Sequence, residues 1–178
     1  HPFSGSDIEL DRILGEAIKG DERYTKHPGY KEWEEKGLFK PEVHPNGDPF
    51  TIVLPPPNAT GTLHLGHATM LALQDLMIRF NRMQGKAALW VPGTDHAAIA
   101  TQSKVEGILK KEEGKSRHDF GREAFLDKVK EFVAGSQDTI RNQIRKMGAS
   151  VDWGREAYTL DATRNAVVNK VFIKMFND

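Results

Sequence analysis

Two histidines, His64 and His67, stand three residues apart, with Gly66 directly before the second. They follow a loop rich in proline and glycine, and they begin a stretch whose apolar residues recur at helical spacing. The first turn of a helix exposes backbone N–H groups that attract anions, and imidazoles three residues apart share one face of it. These residue types therefore favour a site for a phosphate chain.

Two other interpretations of the histidine pair stay open at this point. With His96 as a third ligand, His64 and His67 could hold a catalytic zinc ion and leave one position for water. They could also be ordinary capping or packing histidines at the start of a helix. Gly61 and Gly66 favour the phosphate interpretation, because glycine lets a ligand approach the backbone closely.

A second polar pair, Asn58 and Asp95, lies in two loops that each follow an apolar run. An amide and a carboxylate at neighbouring strand ends could bind the ammonium group of a small substrate. Asp95 could instead be the N-cap of the next helix, and Asn58 could simply shape its loop.

The elements that must position these residues alternate between strand and helix. Residues 50–54 and 88–91 are short apolar runs, typical of strands covered on both faces. Residues 64–83 predict a helix that ends at Gly85, and another helix is expected to start near residues 94–96. This order predicts a right-handed βαβ unit with parallel strands, whose ligands lie beyond the carboxyl ends of the strands.

The rest of the chain predicts helices. Ser116 with Asp119 resembles a capping box, residues 152–155 predict a turn, and Asp161 is the expected N-cap of a last helix. Apolar residues at helical spacing are expected to face the core. They are Leu65, Ala68, Ala72, Leu73, Leu76, Phe80 and Met83; Phe120, Ala124, Val129, Phe132, Ile140, Ile144 and Met147; and Ala166, Val167, Val171, Phe172, Met175 and Phe176.

Composition excludes several classes of protein. The 178 residues include 25 basic and 25 acidic side chains, so no overall field attracts nucleic acid or a membrane. The chain has no cysteine, which excludes disulfides and cysteine-ligated metal. No apolar stretch has the length of a membrane span, and the first residues lack signal-peptide features. We therefore expect a cytoplasmic protein with no membrane partner.

Residues 50–102 resemble the class I aminoacyl-tRNA synthetases. His64-Leu65-Gly66-His67 stands where that class has its HIGH signature. The loop from Pro55 to Gly61 and the segment from Val91 to Ala97 are similar to the valyl branch of the class. Further matches at residues 99–102, 121–123 and 147–153 extend the resemblance to roughly residues 28–178.

The resemblance implies an α/β fold, a partial Rossmann-like domain of the HUP type with parallel strands and several flanking helices. Residues 1–47 would be a polar, helical N-terminal extension, and residues 48–178 the first half of the catalytic domain. The class's second signature, Lys-Met-Ser-Lys-Ser, does not occur in the chain. We therefore expect a fragment without the editing domain, the second catalytic half and the anticodon-binding domain.

The resemblance also implies a reaction, the ATP-dependent activation of L-valine to valyl-adenylate and its ligation to tRNA(Val). ATP would be a substrate accompanied by Mg²⁺, with no metal bound by the protein itself. His64 and His67 would be catalytic, by stabilising the triphosphate. The implied ATP-binding residues are Thr60, Gly61, His64, Gly66 and His67. The implied amino-acid-binding residues are Pro55, Pro56, Asn58 and Asp95.

Two alternatives from other classes stay open. A small stand-alone ATP-binding module or nucleotidyl transferase could use the same motif, and a zinc hydrolase could use His64, His67 and His96. If the chain is a fragment, we expect it to be inactive or weakly active alone. We also expect it to self-associate, because a half-domain exposes apolar surface that other parts normally cover.

Overall fold

The computed structural model describes residues 29–178. Residues 1–28, most of the expected N-terminal extension, lie outside the described residues, and the domain boundary at residue 48 stays a prediction. Among residues 29–178, no helix is both long enough and apolar enough to cross a bilayer.

The described chain is mostly helical, with four short strands. The helices are α1 (Gly29–Glu35), α2 (Leu65–Met83), α3 (Ala98–Glu112), α4 (Arg117–Phe120), α5 (Arg122–Lys146) and α6 (Ala162–Asn177). The strands are β1 (Pro49–Val53), β2 (Ala87–Val91), β3 (Gly93–Thr94) and β4 (Ala157–Tyr158), and single 3-10 turns occupy Pro41–Val43 and Trp153–Arg155.

These elements form two compact units. In the described residues, the first unit comprises 29–55, 62–92 and 139–156. The second comprises 56–61, 93–138 and 157–178. Helix α5 begins in the second unit and ends in the first.

The first unit is built on the predicted strand–helix–strand arrangement. Strands β1 and β2 pair in parallel, with Phe50 opposite Ala88, and α2 connects them. The α/β class with parallel strands is thus confirmed. The buried core of this unit consists of Leu54, Leu63, Ala68, Leu71, Ile78, Trp90, Ile140, Ile144, Ala149 and Val151.

Helix α2 forms where it was predicted, but its buried face differs from the predicted one. Its buried residues are Ala68, Leu71, Ile78 and Asn81. Leu65, Leu73, Leu76, Phe80 and Met83, all predicted for the core, are each at least 51% exposed, and Ala72 is exposed as well. The helix is apolar on more than one side, so periodicity alone could not tell which side meets the sheet.

Side-chain contacts hold helix α1 against other segments of the first unit. The Tyr30 hydroxyl donates to the carbonyl of Ala149 at 2.8 Å. Arg145 pairs with both carboxylate oxygens of Glu34 at 2.9 and 3.1 Å and stacks over the ring of Trp153. These contacts hold α1 against the end of α5 and the loop that follows it.

The second unit contains a parallel pair of two-residue strands that the sequence did not predict. Gly93 lies opposite Ala157 and Thr94 opposite Tyr158. A Cβ on Gly93 would lie 2.7 Å from the carbonyl oxygen of Ala157, so this close pairing requires glycine. The helix expected from residues 94–96 starts only at Ala98, because residues 93–94 are extended and Ala97 is left-handed, with a φ of 46°.

A small apolar cluster holds α3 against α5 in the second unit. Val105, Leu109 and Phe125 are its buried members, and Phe120, Val129 and Phe132 pack around them. Ala124, predicted for this core, is exposed instead. The predicted capping box of Ser116 and Asp119 is present, as is the predicted N-cap in which Asp161 accepts the N–H of Arg164 at 2.8 Å.

The predicted core face of α6 is wrong. Val167, Val171, Phe172, Met175 and Phe176 are 50–84% exposed, and every residue of this helix, Ala166 included, is exposed. The apolar spacing correctly predicted a helix with one apolar side. It could not supply a surface for that side to pack against, and none of the described residues buries it.

Candidate functional site

The residues expected to bind substrates fall into two groups, one in each compact unit. The first unit holds Pro55, His64, Gly66 and His67. The second unit holds Pro56, Asn58, Thr60, Gly61 and Asp95.

His64 is the N-cap of helix α2. Its backbone is extended, with φ −119° and ψ 174°, and its Nδ1 accepts the N–H of Gly66 at 3.1 Å. In return, Nδ1 of His67 accepts the N–H of His64 at 3.2 Å. The two imidazoles therefore cap the helix reciprocally, as the Ser/Glu pair of a capping box does.

This reciprocal cap determines which ring nitrogens carry protons. A nitrogen that accepts an N–H bond has no proton, so each neutral ring must carry its proton on Nε2. The ring centroids of His64 and His67 are 4.0 Å apart. Burial lowers the pKa of His67, and the charge of a protonated His64 lowers it further. At neutral pH His67 is a neutral donor, and both imidazoles retain an Nε2–H for a ligand.

Gly66 lies directly beside the capping ring of His64. A Cβ at this position would lie 2.9 Å from Cε1 and 3.1 Å from Nδ1 of His64. Any larger residue would push the His64 ring away from the backbone N–H that it accepts. The capping interpretation of the histidines is therefore correct in geometry, and it leaves their outer nitrogens available to an anion.

Gln143, which no sequence motif points to, supports the same helix start. Its Oε1 accepts the N–H of Leu63, the residue directly before His64, at 2.7 Å. Gln143 is 1% exposed and lies between Ile140 and Ile144 on the buried face of α5. A glutamine in an apolar stripe is the signal that could have found it, because a buried amide needs polar partners.

Asn58 and Asp95 lie side by side in the second unit, joined by an isolated parallel bridge. The N–H of Ala59 donates to the carbonyl of Asp95, and the N–H of Asp95 donates to the carbonyl of Pro57, both at 2.8 Å. The alternative that Asp95 caps the next helix is wrong, since the N-cap of α3 is Ala97.

The carboxylate of Asp95 is held by Thr159, a residue that belongs to no sequence motif. Thr159 Oγ1 donates to Asp95 Oδ1 at 2.8 Å and accepts the N–H of His96 at 2.9 Å. Burial acts to raise the pKa of Asp95, but hydrogen bonds from Thr159 and the N–H of Ala97, with His96 nearby, outweigh it and lower the pKa. Asp95 is therefore ionised at neutral pH. Thr159 follows a two-residue strand, too short to stand out in the sequence.

The loop formed by residues 55–61 is tightly turned. The N–H of Thr60 donates to the carbonyl of Asn58 at 2.8 Å. Gly61 has a φ of 145°, a conformation that side-chain-bearing residues rarely adopt. Pro55 and Pro56 are both exposed.

The zinc interpretation has no support in the geometry. In the part of the chain that the structure describes, no three histidine, aspartate or glutamate side chains are grouped so that they could hold a metal ion. The set His64, His67 and His96 thus does not form a zinc site of the expected kind.

Comparisons with known proteins agree with the resemblance. Residues 28–178 match the tRNA synthetases of class I (I, L, M and V). Over 147 residues the chain is 56% identical to the valine--tRNA ligase of Caulobacter vibrioides. The matched region covers 83% of this chain and 16% of that enzyme. The fold of the present chain is similar to that of the LeuRS of Agrobacterium radiobacter K84, which was solved as a ternary complex with tRNA and LeuAMS. That likeness has a TM-score of 0.66 at 20% identity and covers 83% of this chain and 17% of the other.

The chain thus spans about a sixth of the length of these two relatives. The family match itself covers all of the described residues. The resemblance found in the sequence is therefore confirmed, and the chain belongs to the class I tRNA synthetases (I, L, M and V).

Proposed function

We propose that the chain supplies half of the amino-acid-activating site of a valine--tRNA ligase. In that reaction a carboxylate oxygen of valine attacks the α-phosphorus of ATP, pyrophosphate leaves, and valyl-adenylate forms. A tRNA hydroxyl then attacks the valyl carbonyl carbon, and AMP leaves. The observation that carries the proposal is the 56% identity to a valine--tRNA ligase over 147 residues.

His64 and His67 act on the triphosphate. Their capping bonds leave an Nε2–H on each ring, and neutral donors of this kind can bind phosphate oxygens as negative charge shifts towards pyrophosphate. Because the capping bonds hold both rings before ATP arrives, little ordering is needed when it binds. Gly66 keeps His64 in place, and Thr60 and Gly61 shape the loop that contributes to ATP binding.

Asp95 and Asn58 hold the ammonium group of valine. The Asp95 carboxylate is ionised, and the backbone bridge fixes Asn58 beside it. A charge-assisted hydrogen bond to an ammonium group is stronger than a neutral one. Pro55 and Pro56 form a rigid apolar wall for the valine side chain. A wall of this kind rejects an added hydroxyl group poorly, so threonine would compete with valine.

Magnesium would reach the site with the triphosphate. The partners of the whole protein would be L-valine, ATP and tRNA(Val), and its location the cytoplasm, where aminoacyl-tRNA is used. Residues 48–178 would form the first half of the catalytic domain and residues 1–47 its extension.

Calorimetric titration of the 178-residue chain tests whether this half-site binds ATP. We expect weak binding of ATP and tighter binding of a non-hydrolysable valyl-adenylate analogue, because the analogue carries the ammonium group and valine side chain as well as the adenylate. Both affinities should fall in His67→Ala. They should be unchanged in His118→Ala, which alters an exposed histidine of helix α4.

The same titration separates the proposal from a stand-alone nucleotidyl transferase. If ATP binds but the valyl analogue binds no better than free AMP, the valine assignment fails. If neither ligand binds, or if both bind His67→Ala as well as the unmodified chain, the assignment of the triphosphate to the histidines fails.

A further inference from the structure

Strand pairing in the second unit places Thr159 beside Asp95. Thr94 and Tyr158 are register partners in the parallel pair β3–β4. The residues that follow them, Asp95 and Thr159, therefore leave the two strands at the same edge. The N–H of Thr159 donates to the carbonyl of Thr94 at 3.2 Å, so the backbone of Thr159 is fixed before its side chain makes any contact.

The hydrogen bonds of the Thr159 hydroxyl form a consistent set. A hydroxyl group has one proton and two acceptor positions. Since the Asp95 carboxylate can only accept, the hydroxyl proton must point at Oδ1, 2.8 Å away. The hydroxyl oxygen then accepts the backbone N–H of His96 at 2.9 Å and a second hydrogen bond from Nδ1 of the His96 ring at 2.6 Å. Nδ1 of His96 must therefore carry a proton.

The same hydrogen bonds hold the His96 ring close to Asp95 and Tyr158. Nδ1 of His96 lies 3.4 Å from Asp95 Oδ1, and the ring of Tyr158 stands edge-on to the His96 ring at 6.4 Å between centroids. The Thr159 hydroxyl thus links the Asp95 carboxylate to the backbone and ring of His96 and fixes their relative positions. Without it, Asp95 would lose its side-chain hydrogen-bond donor, and its carboxylate could rotate.

We propose that Thr159 is a positioning residue for the amino-acid substrate, which holds the Asp95 carboxylate in the orientation that receives the substrate's ammonium group. This inference rests on the proposed role of Asp95. Thr159 need not touch the substrate itself. Replacing Thr159 should therefore weaken the affinity for the amino acid and leave the affinity for ATP unchanged.

The chain offers a matched pair of variants for the test. Thr159→Val keeps the shape of the side chain and removes the hydroxyl, whereas Thr159→Ser keeps the hydroxyl and removes a methyl group. In the complete synthetase that contains this chain, valine-dependent exchange of pyrophosphate into ATP reports KM for both substrates. One lost hydrogen bond of ordinary strength predicts a valine KM raised about fivefold to tenfold in Thr159→Val. The KM for ATP should be unchanged, and Thr159→Ser should restore the valine KM.

A second readout follows the carboxylate directly and does not depend on turnover. In the 178-residue chain, the carboxyl carbon of Asp95 can be titrated by NMR. Because the Thr159 hydroxyl helps to lower the pKa of Asp95, Thr159→Val should raise that pKa and Thr159→Ser should leave it low. An unchanged pKa in Thr159→Val would overturn the inference even if that variant folds poorly in the complete protein.

Asp95→Asn distinguishes failure of the inference from failure of the proposed function. If Asp95→Asn leaves the valine KM unchanged, the proposed role of Asp95 is wrong. If Asp95→Asn raises the valine KM but Thr159→Val does not, Asp95 binds the substrate and Thr159 does not position it. Equal impairment of Thr159→Val and Thr159→Ser would show that the hydroxyl is not the group that matters, which also overturns the inference.

Discussion

Replacing His64 by asparagine should separate its observed capping role from its proposed role as a donor to ATP. His64 caps α2 through Nδ1, and its Nε2–H takes no part in the cap. Asparagine is among the best N-caps, so His64→Asn should keep the cap and lose the outer donor. His64→Ala should lose both.

The magnitudes follow from these contacts. Removing the cap in His64→Ala should cost about 1 kcal/mol of unfolding free energy, and His64→Asn should cost close to nothing. Both variants lose one hydrogen bond to an anion, typically worth about 1.5–3 kcal/mol. At tenfold for each 1.4 kcal/mol, the affinity for ATP should fall by roughly 10-fold to 150-fold in both.

Urea unfolding and calorimetric titration of the same preparations measure the two roles separately. His118→Ala, in which the histidine of α4 is removed, should match the unmodified chain in both assays. Unimpaired ATP binding by His64→Asn would refute the role of the outer nitrogen. Equal stability of His64→Ala and the unmodified chain would refute the capping role.

Four further predictions concern other parts of the chain. Gly66→Ala should not stabilise the protein, because its Cβ would displace the capping ring. The control Gly107→Ala, in the open interior of α3, should stabilise it by up to about 1 kcal/mol in the same urea experiment. Gln143→Met should cost about 1–3 kcal/mol, since the buried N–H of Leu63 loses its acceptor. The exposed neighbour Asn142 gives a near-neutral control when replaced by methionine. Because the pKa of His67 is lowered on folding, the unfolded state binds the extra proton. Unfolding free energy measured against pH should therefore fall as the pH drops from about 6.5 to about 5, above the range in which carboxyl groups titrate, and His67→Gln should reduce that loss. Finally, sedimentation velocity should show concentration-dependent association of the chain that weakens in Phe172→Glu, whose parent side chain is 71% exposed on α6, whereas a monomer at all concentrations would contradict this.

The sequence predicted the elements whose signals are local. The apolar runs before Pro55 and Pro92 predicted β1 and β2, and the caps at Ser116 and Asp161 predicted two helix starts. Each of these elements depends on interactions between residues only a few positions apart in the chain. The adjacency of Asn58 and Asp95 also followed from the sequence, because parallel strands end at a common edge.

The sequence could not predict contacts that join distant segments. Gln143 meets Leu63 across 80 positions, and Thr159 meets Asp95 across 64. Neither residue has a distinctive local pattern, and β3 and β4 exist only because they pair with each other. The buried side of α2 also depends on the packing partner, since several of its sides are apolar.

The histidine motif shows why two interpretations need not compete. From the sequence, capping and phosphate binding were alternatives for His64 and His67. In the structure, each ring caps through Nδ1, and this same bond places the remaining proton on Nε2. Capping would therefore prepare the two rings for the anion binding that we propose.

The most direct test of the central claim is the exchange of labelled pyrophosphate into ATP by the complete protein that contains this chain, with each amino acid supplied in turn. We predict exchange that depends on valine, is slower with threonine, and falls by at least about 100-fold when His64 and His67 are both replaced by alanine. Exchange without any amino acid, exchange that prefers an amino acid unlike valine, or full exchange in the double variant would contradict the account.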